Sequence, residues 1–239
     1  MKVSLVIPMY NESSIINDTL KTVSDYMESA FSDYEVLFSD DGSKDGCRAA
    51  VEAFHKEHNE RISAVGYEQN QGKGAAIRHG VMNARGDIII FTDCDLAYGL
   101  DVIKNAVEIF GNTPDADIVI GSRNLTDDGY EGYTFIRKLA SKTYIKCLAI
   151  AAGFKLSDSQ CGFKCFRREA AHSIFSTCEV NGFAFDFEAL IKANNMGLKI
   201  AEMPVKIVNH RESKVNVLRD SIRMLRDVRR IKKANRKSR

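Results

Sequence analysis

No apolar run in this 239-residue chain approaches the roughly 20 residues that a bilayer-spanning helix requires; stretches such as IIIF and CLAIAAGF fall well short. The start, MKVSLVIPMYNE, also lacks the small-residue cleavage site of a secretion signal. Its apolar run stops at Pro8 and leads directly into polar residues, so it reads as a first strand. None of the six cysteines stands in a CxxC pair, which argues against the common zinc and dithiol arrangements. Scattered through apolar segments, they suit a reducing cytosol. Cys161 and Cys165 alternate within CGFKCF as ordinary strand residues do. Two glycine fingerprints are missing as well. QGKGAAIRHG carries GxG, but Ile77 replaces the third glycine of a dinucleotide site, and GKG lacks the Ser or Thr that follows the lysine of a phosphate-binding P-loop.

The chain does have enough apolar residues for one sizeable core, at 44% hydrophobic and 28% charged. Short β-branched runs alternate with amphipathic stretches: VSLVI, a helix from about Ser13 to Ala30, EVLFS, a helix from about Asp45 to His58, ISAVGY, and a helix from about Gly74 to Ala84. GDIIIF, a helix near Leu100 to Phe110, and DIVIGS follow. This order predicts right-handed βαβ units in an α/β fold, with a mostly parallel sheet covered by helices on both faces. Ligands of such sheets sit at the carboxyl ends of the strands. The polar motifs lie there: PMYNE, SDDGSKDG, EQNQGKG, TDCD and GSRN each follow a strand. Beyond Asn124 come a Gly, Asp and Tyr-rich loop, an amphipathic segment from Thr134 to Ala152, SDSQCGFKCF, a helix around Phe185 to Met196 and the strand KIAEMPVKIV.

Asp93 and Asp95 carry the clearest chemical signal. Residues two apart on an extended chain share a face, so their carboxylates repel unless a cation lies between them or one keeps a proton. A divalent metal that also holds phosphate oxygens meets that need, and hard oxygen ligands suit Mg²⁺ or Mn²⁺. The plainer alternative is that Asp95 caps the next helix while Asp93 is solvated. Asp40 and Asp41 end the second strand and suit a base N–H or ribose hydroxyls, with Ser43 or Asp45 as a cap. Pro8 ends the first strand, Tyr10 offers a stacking surface for a base, and Glu12 opens the first helix.

Taken in order, PxYNE, DDGSxDG, NxGKG, DxD and GSR make the sequence similar to the family 2 glycosyltransferases of the GT-A fold over nearly its whole length. DSQCGFKCF, FAFDFEAL and HRESKV resemble the dolichyl-phosphate or polyprenyl-phosphate β-glycosyltransferases, the glucosyltransferase branch first and the mannose synthase branch second. The resemblance implies a nucleotide pocket of Pro8, Tyr10, Glu12, Asp40 and Asp41 with Lys73 nearby, and Asp93 and Asp95 on the metal. It implies phosphate contacts for Arg123 and Arg137, and places Asp158 nearest the acceptor. Arg211, with Ser213 and Lys214, closes over the diphosphate in this reading, and Asp186 and Glu188 reach sugar hydroxyls or face solvent. One departure stands out: mannose synthases often have a glutamine ligand where this chain has Ala97, which favours UDP-glucose over GDP-mannose as donor.

The implied acceptor is a polyprenyl or dolichyl phosphate, so a chain with no membrane-spanning run needs another route to lipid. Residues 219–239 carry a net charge near +8 and the remainder about −6. Leu218, Ile222, Leu225, Val228 and Ile231 recur at helical spacing among these cations. Residues 1–214 are therefore expected to form the GT-A domain and 215–239 a basic amphipathic helix lying on anionic headgroups at the cytoplasmic face. No aromatic-rich basic platform accompanies the tail, so nucleic acid is not expected as a partner. A homo-oligomer or a separate membrane subunit is compatible with the composition. Two rival functions are a family 2 transferase acting on a polysaccharide or protein, and a non-catalytic nucleotide-sugar-binding module.

Overall fold

The computed structural model describes residues 1–130, 156–209, 226–231 and 233. Seven strands form one sheet: β1 (Val3–Met9), β2 (Tyr34–Asp41), β3 (Ile62–Tyr67), β4 (Ile88–Phe91), β5 (Ile118–Ser122), β6 (Lys164–Arg167) and β7 (Ile200–Pro204). Their order across the sheet is β3-β2-β1-β4-β6-β5-β7. Helices α1 (Ile16–Ala30), α2 (Cys47–Glu57), α3 (Lys73–Asn83) and α4 (Asp101–Asn112) connect the first five strands, and α5 (Arg168–Phe175) and α6 (Phe185–Asn195) follow β6.

The uninterrupted apolar runs of β1, β4 and β5 are buried at every position, as strands covered on both faces must be. Alternate side chains divide between two cores. Leu5, Ile7, Phe38 and Ile90 pack with α1, α2 and α4, while Val6, Leu37, Ile89 and Phe91 pack with α3, α5 and α6. In α1, Ile16, Leu20, Val23 and Met27 recur three and four apart and are all buried, which fixes the face it turns to the sheet.

Two features depart from the sequence expectation. β6 runs antiparallel to both β4 and β5, pairing Phe91 with Lys164 and Ile120 with Lys164. Its first residue therefore lies beside the carboxyl ends of its neighbours, and residues 158–163 converge on the same rim as TDCD. Pro8 does not end β1, which continues to Met9. Pairing with β4 stops at Val6, so the missing proline N–H leaves no ladder bond unmade on that side.

Helical residues 226–231 bear on part of the apolar stripe expected to face headgroups. Val228 and Ile231 are buried in the α3, α5 and α6 core, and Arg230 pairs with Glu179 at 3.0 Å. These two members of the apolar stripe are covered by the protein itself. Leu218, Ile222 and Leu225 lie outside the described residues, as does the Thr134 to Ala152 segment.

Candidate active site

Where β4 leaves the core, the chain turns rather than entering a helix. Leu96 N–H donates to the Asp93 carbonyl, Gly99 N–H to that of Leu96, and the Asp95 Oδ1 accepts from Ala97 N–H at 3.1 Å. α4 starts only at Asp101, so Asp95 shapes this turn and does not cap the helix. Leu96 adopts φ +50°, an uncommon conformation for a side chain branched at Cγ. Asn209 holds it: its Nδ2 donates to the Leu96 carbonyl at 2.9 Å, and Val208 and Asn209 N–H groups both donate to the Ala97 carbonyl. Sequence reading missed Asn209, because its partners are main-chain atoms more than a hundred residues away.

Lys73 is the first residue of α3, and its Nζ lies 2.5 Å from the Asp93 Oδ1. The helix start is wedged in place, since a Cβ on Gly72, at φ +115°, would sit 2.5 Å from the Asn181 carbonyl oxygen. Burial lowers the Lys73 pKa, but Asp93 together with Asp186 and Asp95 outweighs it and the net direction is upward, so the ammonium stays charged. On the opposite side, Gly162 lets the β6 approach press against the acid: a Cβ there would be 2.5 Å from the Asp93 Oδ2. Gly162→Ala is expected to displace the Asp93 carboxylate and cut catalytic turnover by about 10²-fold, the scale of a 1 Å misplacement. Steady-state assay beside a near-normal melting curve checks this.

Among the described residues, no three His, Cys, Asp or Glu side chains are gathered as a metal cage. Two carboxylates of one turn are nevertheless the donor set with which Mg²⁺ or Mn²⁺ is commonly held, the remaining positions going to water and substrate phosphates. Asp93 is 30% exposed and so accessible to both. Cys161 is fully buried, and burial pushes its thiol up to about 11.

Among the residues expected to line a nucleotide pocket, Tyr10 is 43% exposed just beyond β1. Asp40 accepts from Ser43 N–H at 3.0 Å, which closes the turn after β2. Asp41, expected to meet the ligand, is instead saturated by its own surroundings. Its oxygens accept from Tyr67 Oη, Asn70 Nδ2 and the N–H groups of Gln71 and Gly72 at 2.7–3.0 Å. It fixes the QNQG loop that delivers Lys73. Asp45 binds Cys47 N–H and Ser13 N–H, tying the start of α2 to the loop that also carries Glu12.

Arg123, expected on phosphate groups, and Asp158, expected nearest the acceptor, face each other. Arg123 Nε and Nη2 donate to the two Asp158 oxygens at 2.6 and 2.9 Å, and both residues are buried. The guanidinium also lies 5.1 Å from the Tyr130 ring centroid. Asp186 and Glu188 are buried too, which removes the solvated-face alternative. Asp186 accepts from Lys164 Nζ at 2.7 Å, and Glu188 accepts from the N–H groups of Glu179 and Val180. Burial raises the Asp186 pKa, and Lys164 and Lys73 oppose that rise. Arg137, Arg211, Ser213 and Lys214 lie outside the described residues.

Comparison with known proteins agrees with this geometry. Residues 4–175 match the sequence profile described as Glycosyl transferase family 2. The chain is 30% identical over 242 residues to a dolichyl-phosphate β-glucosyltransferase of Dictyostelium discoideum, covering 96% of this chain and 73% of the relative. A dolichyl-phosphate β-glucosyltransferase of Trichomonas vaginalis is 32% identical over 85% of this chain, which spans 64% of that relative. The glucosyl-3-phosphoglycerate synthase of Mycobacterium tuberculosis, solved with Mn²⁺, UDP and phosphoglyceric acid, superposes with a TM-score of 0.69 at 21% identity, covering 98% of this chain and 78% of that one. Its likeness supports a GT-A architecture. With the family profile matching well over half its residues, the chain belongs to glycosyltransferase family 2.

Proposed function

We propose that the protein transfers glucose from UDP-glucose to a dolichyl or other polyprenyl phosphate, inverting the anomeric centre to give a β-linked lipid phosphate sugar. The observation that carries this reading is the acid pair Asp93 and Asp95 at the carboxyl end of β4, with Lys73 on Asp93. The names of the relatives supply the lipid acceptor and the glucose. Ala97 adds no side-chain oxygen to the acid pair, which disfavours the mannose branch.

Asp93 and Asp95 would hold Mg²⁺ or Mn²⁺, which when bound supplies positive charge for the departing diphosphate. The structure with Mn²⁺ and UDP is of a related fold and supports that choice. Tyr10 stacks on the base and Asp40 receives its N–H or a ribose hydroxyl, while Pro8 and Glu12 shape the pocket wall. Lys73 meets the diphosphate oxygens. A monophosphate acceptor, with a second pKa near 6, is already anionic at neutral pH and needs orientation more than deprotonation. Arg137 orients it by bidentate contact, and Asp158, locked to Arg123, sets the wall against which it lies. Arg211 and Lys214 follow Asn209, which is tied to Leu96, and they serve the diphosphate. The protein meets the membrane peripherally on its cytoplasmic face. No helix among the described residues is long and apolar enough to cross a bilayer, and the net positive charge of residues 219–239 suits anionic headgroups.

Incubation with labelled UDP-glucose or GDP-mannose, a short polyprenyl phosphate and Mn²⁺ tests this reading. The expected product is a β-glucosyl lipid phosphate formed at least tenfold faster than the mannosyl product. No transfer to lipid from either donor, with sugar appearing on a polysaccharide or protein instead, overturns it.

A further inference from the structure

Lys73 occupies a position that a bound metal must contest. Its ammonium lies 2.5 Å from the Asp93 Oδ1, where it cancels the charge of one member of the acid pair. The first turn of α3 directs its positive end to the same place. Lys73 also feels Asp95 and, on its inner side, Asp186. Asp186 is already engaged by Lys164, whose Nζ additionally donates to the Cys161 carbonyl at 2.6 Å. Charges therefore alternate from Asp93 through Lys73 and Asp186 to the fully buried Lys164. A cation arriving alone at Asp93 must push away an ammonium while Asp186, another acid acting on it, is already held by Lys164. A cation arriving with a diphosphate brings the lysine a new anionic partner.

We propose that Lys73 is a resident counter-cation of Asp93 that makes divalent metal and nucleoside diphosphate bind as a mutually dependent pair. This rests on the reading of Asp93 and Asp95 as metal ligands. The coupling is reciprocal: whatever factor the diphosphate adds to metal affinity, the metal adds to diphosphate affinity. The arrangement disfavours a metal-loaded site with no donor.

Mn²⁺ binding, measured from the free-ion paramagnetic resonance signal with and without UDP, tests the proposal without any turnover. In the wild-type protein Mn²⁺ alone is expected to bind weakly and UDP to tighten it by tenfold or more, within the roughly 5–150-fold range of ordinary couplings. In Lys73→Met, Mn²⁺ alone binds about tenfold more tightly and the UDP effect falls below about threefold, under the roughly 5–150-fold range of ordinary couplings. Lys73→Gln, a second neutral replacement, is expected to behave alike, and melting curves of both variants confirm folded protein. Unchanged Mn²⁺ affinity in both folded variants, or an undiminished UDP effect, overturns the proposal. If the wild-type protein binds no Mn²⁺ even with UDP, the metal assignment itself fails, a result separable from the first.

Discussion

Asp95→Ala protein is expected to fold normally and to transfer sugar about 10³-fold more slowly, with no rescue by excess Mn²⁺. The magnitude follows from what the acid pair does for a charged leaving group. Removing one preorganised electrostatic contact to developing charge commonly costs 10²–10³ in turnover, and a two-carboxylate site that loses one carboxylate falls at the upper end. The fold tolerates the change because Asn209 and Val208 hold the same turn through the main chain, in addition to the contact of Asp95 Oδ1 with Ala97 N–H. Parallel measurement of turnover and melting temperature checks both halves. Near-normal turnover in a folded variant removes Asp95 from the metal.

The same turn indicates what the sequence made legible. Two acids with a single residue between them after IIIF pointed to the rim of the sheet, because a short, fully apolar β-branched run bounded by turn residues fits a strand buried on both sides. The strand and helix order through β5 follows from the same contrast. The direction of β6 does not, since KCFR is four residues long and nothing in it distinguishes a strand running up from one running down. Its reversal nonetheless brings Gly162 to Asp93 and Asp158 to Arg123. α5 was also illegible: it begins at the residue after β6 with no side-chain cap at Arg167 to announce it. In α6, eight of eleven residues are buried, so the amphipathic contrast that marks surface acids is missing and Asp186 and Glu188 cannot be told from solvated ones. Asp41 illustrates a further limit. A carboxylate at a strand end satisfies a ligand or its own loop equally well, and only the positions of Tyr67, Asn70, Gln71 and Gly72 show that the loop has it.

Asp158→Ala is expected to destabilise the protein by about 3–5 kcal/mol, because it leaves the Arg123 guanidinium buried with no carboxylate to receive its two donated bonds. For a chain of this size that corresponds to a fall in melting temperature of roughly 6–20 °C. Arg123→Met combined with Asp158→Leu removes both charges and restores apolar contact, so most of the lost stability should return. Transfer activity should not. The loop from Asp158 to Gly162 joins the ion pair to the residue pressed against Asp93, so the pair sets where both the proposed acceptor wall and the Asp93 carboxylate lie. A double variant as stable as wild type and equally active would show that the pair serves folding alone. A double variant that is stable yet at least 10²-fold slower would place Arg123 and Asp158 in the reaction, on the scale expected when reacting groups are misplaced by about 1 Å.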